Sequence, residues 1–307
     1  MIKLSKSRFD GIERFIMNSA RPLEKYIFED HFKKGCNKNI LNELKRYQNA
    51  DGGFGHGMES DFRLPNSSPM ASSVAFQHLI DLDENEDVLC VIKKGIEYFG
   101  NAFIPERNGW FAVDDRVNDY PHTPWWNYNK DKGMTVIDEH WGNPSAEIIG
   151  YLYRYKHFVS KLDVSKLLDY AIKYINEKKD FKSFHEIYCY IRLYKLLPKN
   201  LSVKLEDKIK EAIGMLVNSN SEEWKNSYVS KPLDFVNSPR CTFGISRELI
   251  EKNLDYIIEC INEDGLIFPS WGEDFYKGEL KAAWNEWIGV LTLKAVIALD
   301  NFGRIEK

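Results

Sequence analysis

Apolar residues return every three to four positions along most of this chain, and alternation with a period of two is rare. In FDGIERFIMNSA (9–20), Ile12, Phe15 and Ile16 form one stripe, the spacing of a helix that buries one face. ILNELKRYQ (40–48) sets out Ile40, Leu41, Leu44 and Tyr47 in the same way. The pattern predicts further helices over 72–82, 87–99, 144–159, 163–178, 183–197, 203–219, 246–261 and 279–302, about ten to twelve in total. End signals agree with these bounds. Asp163 suits an N-cap, Pro144 suits a first helical turn, and Ser246 precedes a turn that carries Glu248. Loops hold most of the glycine and proline, and no Pro-, Gly- or Ser-rich linker divides the chain, so a single all-α domain over 1–307 is expected.

A degenerate repeat runs beside the helical pattern. Its clearest copy is LNELKRYQNADGGFGHGMESD (41–61), where a helix ends near Gln48 and Asp51-Gly52-Gly53-Phe54 turns the chain. Asp264-Gly265 with Trp271, in DYIIECINEDGLIFPSW (255–271), is a second copy, and Asn108-Gly109-Trp110-Phe111 is a weaker one. Glycine permits a positive φ and a close approach of backbone at such turns. The plan of helix, polar residue plus glycine, aromatic residue and next helix resembles the Q-x-x-D-G-G-F turn of protein prenyltransferase β subunits. It also resembles the QW-type repeats of squalene–hopene and oxidosqualene cyclases. The resemblance implies an α/α toroid, a double ring of helical hairpins around a central cavity. It also implies that Gln48, Asp51 and Phe54 mainly tie helix ends together.

Three loops carry more polar and aromatic groups than packing requires. The first, 55–69, holds His56, Glu59, Asp61 and Arg63. The second, 109–133, holds Asp114, Asp115, His122, Trp125, Trp126 and Tyr128, and runs into 136–147 with Asp138, Glu139, His140, Trp141, Asn143 and Glu147. The third, 271–287, holds Glu273, Asp274, Trp284, Glu286 and Trp287. A connection of roughly 30 residues between helices is unusual and often functional. In a toroid such loops would surround the cavity mouth. Asp114, Asp138 and Glu139 are then the candidate catalytic acids. Trp110, Trp125, Trp126, Trp141 and Trp284 are candidate pocket walls, with His56, Glu59, Asp61, His122 and His140 as polar partners to a substrate. Each of these acids also reads as an ordinary loop cap or surface charge. His185 and Cys189, four apart, read as core or groove residues.

Composition narrows the chemistry. Lys plus Arg number 42 and Asp plus Glu 46, a net charge of −4, which lacks the basic footprint of a general nucleic-acid binder. Aromatic residues make up 14% and would fill a broad core or line an apolar or sugar-binding cavity. The five cysteines are widely spaced with no CxxC, which fits reduced thiols and a cytoplasmic setting better than a disulfide framework. The start MIKLSKSRFDGIERF lacks the apolar region of a signal peptide, and no membrane-spanning stretch is expected. No cofactor is implied: the nucleophile elbow, the P-loop and GxGxxG are all missing. His56 with Glu59 and Asp61, or His122 with His140, lack any established metal spacing, so no metal site is expected.

The chain also departs from the families it resembles. Val113-Asp114-Asp115 lacks the first aspartate of the D-x-D-D acid motif. In Asp114-Asp115-Arg116-Val117-Asn118-Asp119 the third aspartate falls one place late for D-D-x-x-D, and the zinc-ligand pair D-x-C is absent. Three readings remain. The first is a protein that handles an isoprenoid or other small apolar ligand, resembling terpene cyclases and prenyltransferases. The second is a carbohydrate-active α/α toroid, with tryptophans beside paired carboxylates. The third is a binding or scaffold protein without catalysis, serving an unidentified protein partner.

Overall fold

The expected stripes become helices in the computed structural model, which describes residues 2–306. Thirteen helices and no strands are present among the described residues: α1 Lys6–Ser19, α2 Pro22–Lys33, α3 Asn37–Lys45, α4 Pro69–Leu79, α5 Glu86–Asn101, α6 Gly142–Arg154, α7 Val164–Glu177, α8 Phe184–Leu196, α9 Lys199–Leu216, α10 Glu223–Asn226, α11 Pro232–Phe235, α12 Arg247–Cys260 and α13 Lys281–Asn301. The protein is mainly helical, as the spacing predicts. Asp163 caps α7 by accepting from the Lys166 amide, and Ser246 caps α12 through the Leu249 amide. The spacing missed α2. That helix buries only Leu23, Glu24 and Phe28, and Glu24 is there because Arg21 grips it at 2.8 and 2.6 Å. A face with a buried ion pair shows no apolar stripe.

The chain groups into two compact units, residues 41–212 and residues 1–40 with 213–307. In the first unit, α4 packs on α5 and α6, α6 packs on α7, and α6 and α8 share the most extensive contact. Alternate helices α4, α6 and α8 are therefore neighbours. The aromatic excess fills this unit's interior. Phe76 stands 5.1 Å from both Phe99 and Tyr151 and 6.5 Å from Phe54, and Phe99 meets Trp110 at 6.4 Å. In the second unit, α1, α2 and α13 pack together and α11 packs on α12. The two ends of the chain lie side by side there, with the Leu4 amide donating to the Arg304 carbonyl at 2.8 Å. The segment Gly278–Asn301 reaches a mean hydropathy of 1.2, enough by length and composition to cross a membrane, but half of it is buried inside the protein.

The repeat is visible as geometry. At the first turn the Asn49 amide donates to the Gly53 carbonyl at 2.8 Å, and the Gly52 amide donates back to the Asn49 carbonyl at 3.0 Å. At the Asp264-Gly265 turn the Asn262 amide donates to Leu266 at 3.1 Å, and Gly265 donates to Asn262 at 3.0 Å. Gly52 and Gly265 have φ of 91° and 83°. Each lies flat on a helix backbone, Gly52 on Lys94 of α5 and Gly265 on Gly11 and Ile12 of α1. The weaker copy differs: Ile104 and Gly109 pair there, and the positive φ falls on Asn108.

Candidate functional site: an acid–indole cluster

The loop joining α3 to α4 is short of regular structure, so its backbone groups need partners elsewhere. They find them in the long connection between α5 and α6. The Arg63 amide donates to the Pro121 carbonyl at 2.8 Å and the Thr123 amide to the Asp61 carbonyl at 2.9 Å, pairing Phe62 with His122. That connection is itself ordered. It contains four 3₁₀ turns, Pro105–Arg107, Asp115–Asp119, Pro124–Trp126 and Val136–Glu139. Asn118 and Tyr128 clasp it by reciprocal 2.8 Å hydrogen bonds.

At this seam the Trp125 indole Nε1 donates to Asp61 Oδ2 at 2.9 Å. Asp61 is only 6% exposed, while Trp125 keeps a partly open ring. Glu59 Oε1 accepts from the Asp61 amide at 3.3 Å, which brings a second carboxylate beside the first. Below, Trp126 packs edge-on against Phe62 at 5.0 Å. Its Nε1 and the neighbouring Thr123 hydroxyl are buried with no partner among the described residues. Such orphaned polar groups are rare and costly in a native interior. His122 is half-buried, with Nδ1 2.7 Å from the Tyr120 carbonyl. Of the residues singled out in the sequence, Glu59, Asp61, His122, Trp125 and Trp126 thus come together.

The other candidates lie elsewhere. Asp114 is half-exposed and is held by Arg116, whose Nη2 donates to Oδ2 at 2.5 Å, so it is no desolvated acid. Glu139 is a surface charge paired with Lys132 at 3.1 Å. Asp138 is buried, and burial raises its carboxyl above the ordinary value against the pull of its hydrogen bonds. Both its oxygens are taken, by the Ala112 amide at 2.7 Å and by the Thr135 amide and hydroxyl at 3.0 and 2.6 Å. It holds a turn and presents no open oxygen to a substrate. Trp110 is fully buried in the core with Nε1 on the Phe99 carbonyl at 2.8 Å. Trp141 packs against Tyr170 and Tyr174 and donates to the Arg107 carbonyl at 3.0 Å. His140 is half-buried at the end of the Asp138 turn. His56 lines a separate cleft. Trp284 belongs to the other unit, in a core cluster with Tyr276 and Leu280. Indoles that satisfy backbone carbonyls inside a core are structural, and Trp110 and Trp141 leave no ring face for a cavity wall.

A second cluster joins Glu147, Asn143 and Cys189, which the sequence singles out, to Gln77 and Arg192, which it does not. Glu147 of α6, 1% exposed, receives Arg192 Nη1 of α8 at 2.8 Å and Gln77 Nε2 of α4 at 3.3 Å. Beside it Cys189 donates weakly to Asn143 at 3.5 Å, and burial pushes its thiol well above the ordinary value, so it stays protonated. The signal was present as single polar residues, Gln77 and Arg192, interrupting apolar stretches of two predicted helices. Among the described residues no group of three His, Cys, Asp or Glu side chains could hold a metal. Comparison with known proteins finds no matching family model, curated protein or solved structure.

Proposed function

We propose that the protein binds a hydroxyl-rich ligand, a carbohydrate in class, at the acid–indole cluster. The observation that carries this reading is the Trp125–Asp61 hydrogen bond, which fixes a partly open indole ring beside a buried carboxylate. A fixed ring face stacks on the C–H face of a sugar, and adjacent carboxylates accept its hydroxyls. An apolar isoprenoid fits less well, because two of the five tryptophans expected to wall its pocket, Trp110 and Trp141, are spent on the core.

The two matching turns at Gly52 and Gly265, and the neighbouring placement of α4, α6 and α8, support an α/α toroid as the arrangement of the hairpins. They also keep an isoprenoid-handling role as the second reading, through the resemblance of the Gln48–Phe54 turn. Native mass spectrometry with neutral oligosaccharides and with farnesyl diphosphate separates the two. The first reading expects oligosaccharide adducts that disappear in Trp125→Ala and Asp61→Asn. Adducts with farnesyl diphosphate alone would transfer the assignment to the second.

A further inference from the structure

A cleft of about 380 Å³ opens on the unit formed by residues 41–212, and its lining shares no residue with Glu59, Asp61, His122 or Trp125. Asn49, Ala50 and Asp51 form part of its lining with His56, Ser67 and Arg116, and its chemistry follows from one chain of hydrogen bonds. Asn49 donates through Nδ2 to the Pro65 carbonyl and to Ser67 Oγ, both at 3.0 Å. Ser67 Oγ in turn donates to Asp51 Oδ1 at 2.6 Å, where the Gly53 amide also arrives at 3.0 Å. With its amide nitrogen committed, Asn49 faces His56 with Oδ1, 2.8 Å from Nε2. His56 Nε2 therefore carries the proton, and Nδ1 is left as an acceptor. The His56 backbone takes a left-handed φ of 55°, uncommon for a residue with a side chain, and this places the ring at the cleft.

Arg116, also in the lining, uses Nε and Nη2 on Asp114 and keeps Nη1 uncommitted. Asp51 keeps Oδ2, since both its hydrogen bonds fall on Oδ1. Asp114 balances the charge of Arg116, so Asp51 leaves one negative charge over. A bare anion is therefore not favoured, whereas a cation that also carries a carboxylate matches both ends.

We propose that this cleft binds a small zwitterion of amino-acid size, its ammonium group on Asp51 Oδ2 and His56 Nδ1 and its carboxylate on Arg116. The test uses L-serine as a small zwitterion, N-acetyl-L-serine without the ammonium, and ethanolamine without the carboxylate. Binding is read by saturation-transfer NMR and calorimetry on the full chain. L-serine is expected to bind with a Kd on the order of 1 mM, and either truncated probe about tenfold more weakly. Arg116→Gln should weaken L-serine about tenfold and leave ethanolamine unchanged, while Arg116→Lys retains most of the affinity. His56→Asn, which keeps a residue tolerant of the left-handed backbone, should weaken L-serine and ethanolamine alike. Absence of L-serine binding, equal binding of N-acetyl-L-serine, or an affinity indifferent to Arg116→Gln would overturn the proposal.

Discussion

At Gly52 the backbone takes φ of 91°, and a Cβ would run into the Lys94 carbonyl of α5. Gly214 is the contrasting case: it lies in α9, exposed, with nothing within 4 Å of the place a Cβ would occupy. The two glycines should respond to alanine with opposite signs. Gly52→Ala is expected to destabilise by more than about 1 kcal/mol, because strain and clash add. Gly214→Ala should stabilise by about 0.5–1 kcal/mol through helix propensity. Urea unfolding of the two variants checks both, and equal effects would contradict the turn geometry. The Gln48-to-Phe54 motif was legible as a turn because glycine leaves a mark in the sequence. Burial of individual indoles was not legible. Trp110 and Trp125 look alike in a loop, yet one donates to the Phe99 carbonyl in the core and the other to a carboxylate at the loop seam.

Apolar recurrence makes most helices legible, α6 and α8 included, whereas the ion pairs that enter their packing are not. The Arg21–Glu24 pair hid α2, and the Glu147–Arg192 pair went unnoticed on α6 and α8. Periodicity counts apolar residues and cannot show that a charged one has its partner on another helix. The Glu147 pair should be expensive to break from one side. Arg192→Met leaves a carboxylate of 1% exposure without its cation and should cost at least about 2 kcal/mol. The double replacement Glu147→Met with Arg192→Met should recover much of that loss. A double-mutant cycle by urea unfolding measures the coupling, and additive effects would show that the pair is not coupled.

Further along the chain, on α9, hydrogen bonds from Lys210 and Lys199 hold Glu206 down to about 2, against an ordinary 4.5. Since the folded value lies below the unfolded one, this group favours folding above about pH 4.5 and loses that contribution as pH falls toward 2. The charges are largely exposed and screened, so the gain in stability is small. The titration itself is the better readout. NMR of the Glu206 carboxyl should give a midpoint near 2 that rises toward 4.5 in Lys210→Gln and at high salt. A midpoint of 4.5 in the unmodified protein would contradict the arrangement.

At the scale of the whole molecule, the sequence led to a mainly helical protein, and the structure groups its helices into two units. The unit of residues 1–40 and 213–307 is assembled from both ends of the chain, which no local pattern announces. Arg304, 1% exposed, helps to fasten it by donating to the Ile2 carbonyl at 2.6 Å, to Glu251 Oε2 at 2.7 Å and to Asp255. The three polar loops divide between the units, two in one and the third in the other, so only the first two are seen to meet. Their meeting rests on backbone pairing of Asp61 with Thr123 and Arg63 with Pro121, distances in the chain that residue spacing does not encode.

The proposed sugar-binding face consists of the Trp125 ring and the Asp61 carboxylate. The most direct measurement is a crystal structure after soaking with a neutral oligosaccharide identified by native mass spectrometry. A sugar ring stacked on Trp125, with a hydroxyl hydrogen-bonded to Asp61 or Glu59, is the expected result. A glycan seated elsewhere, with the Trp125 ring uncovered, would contradict it.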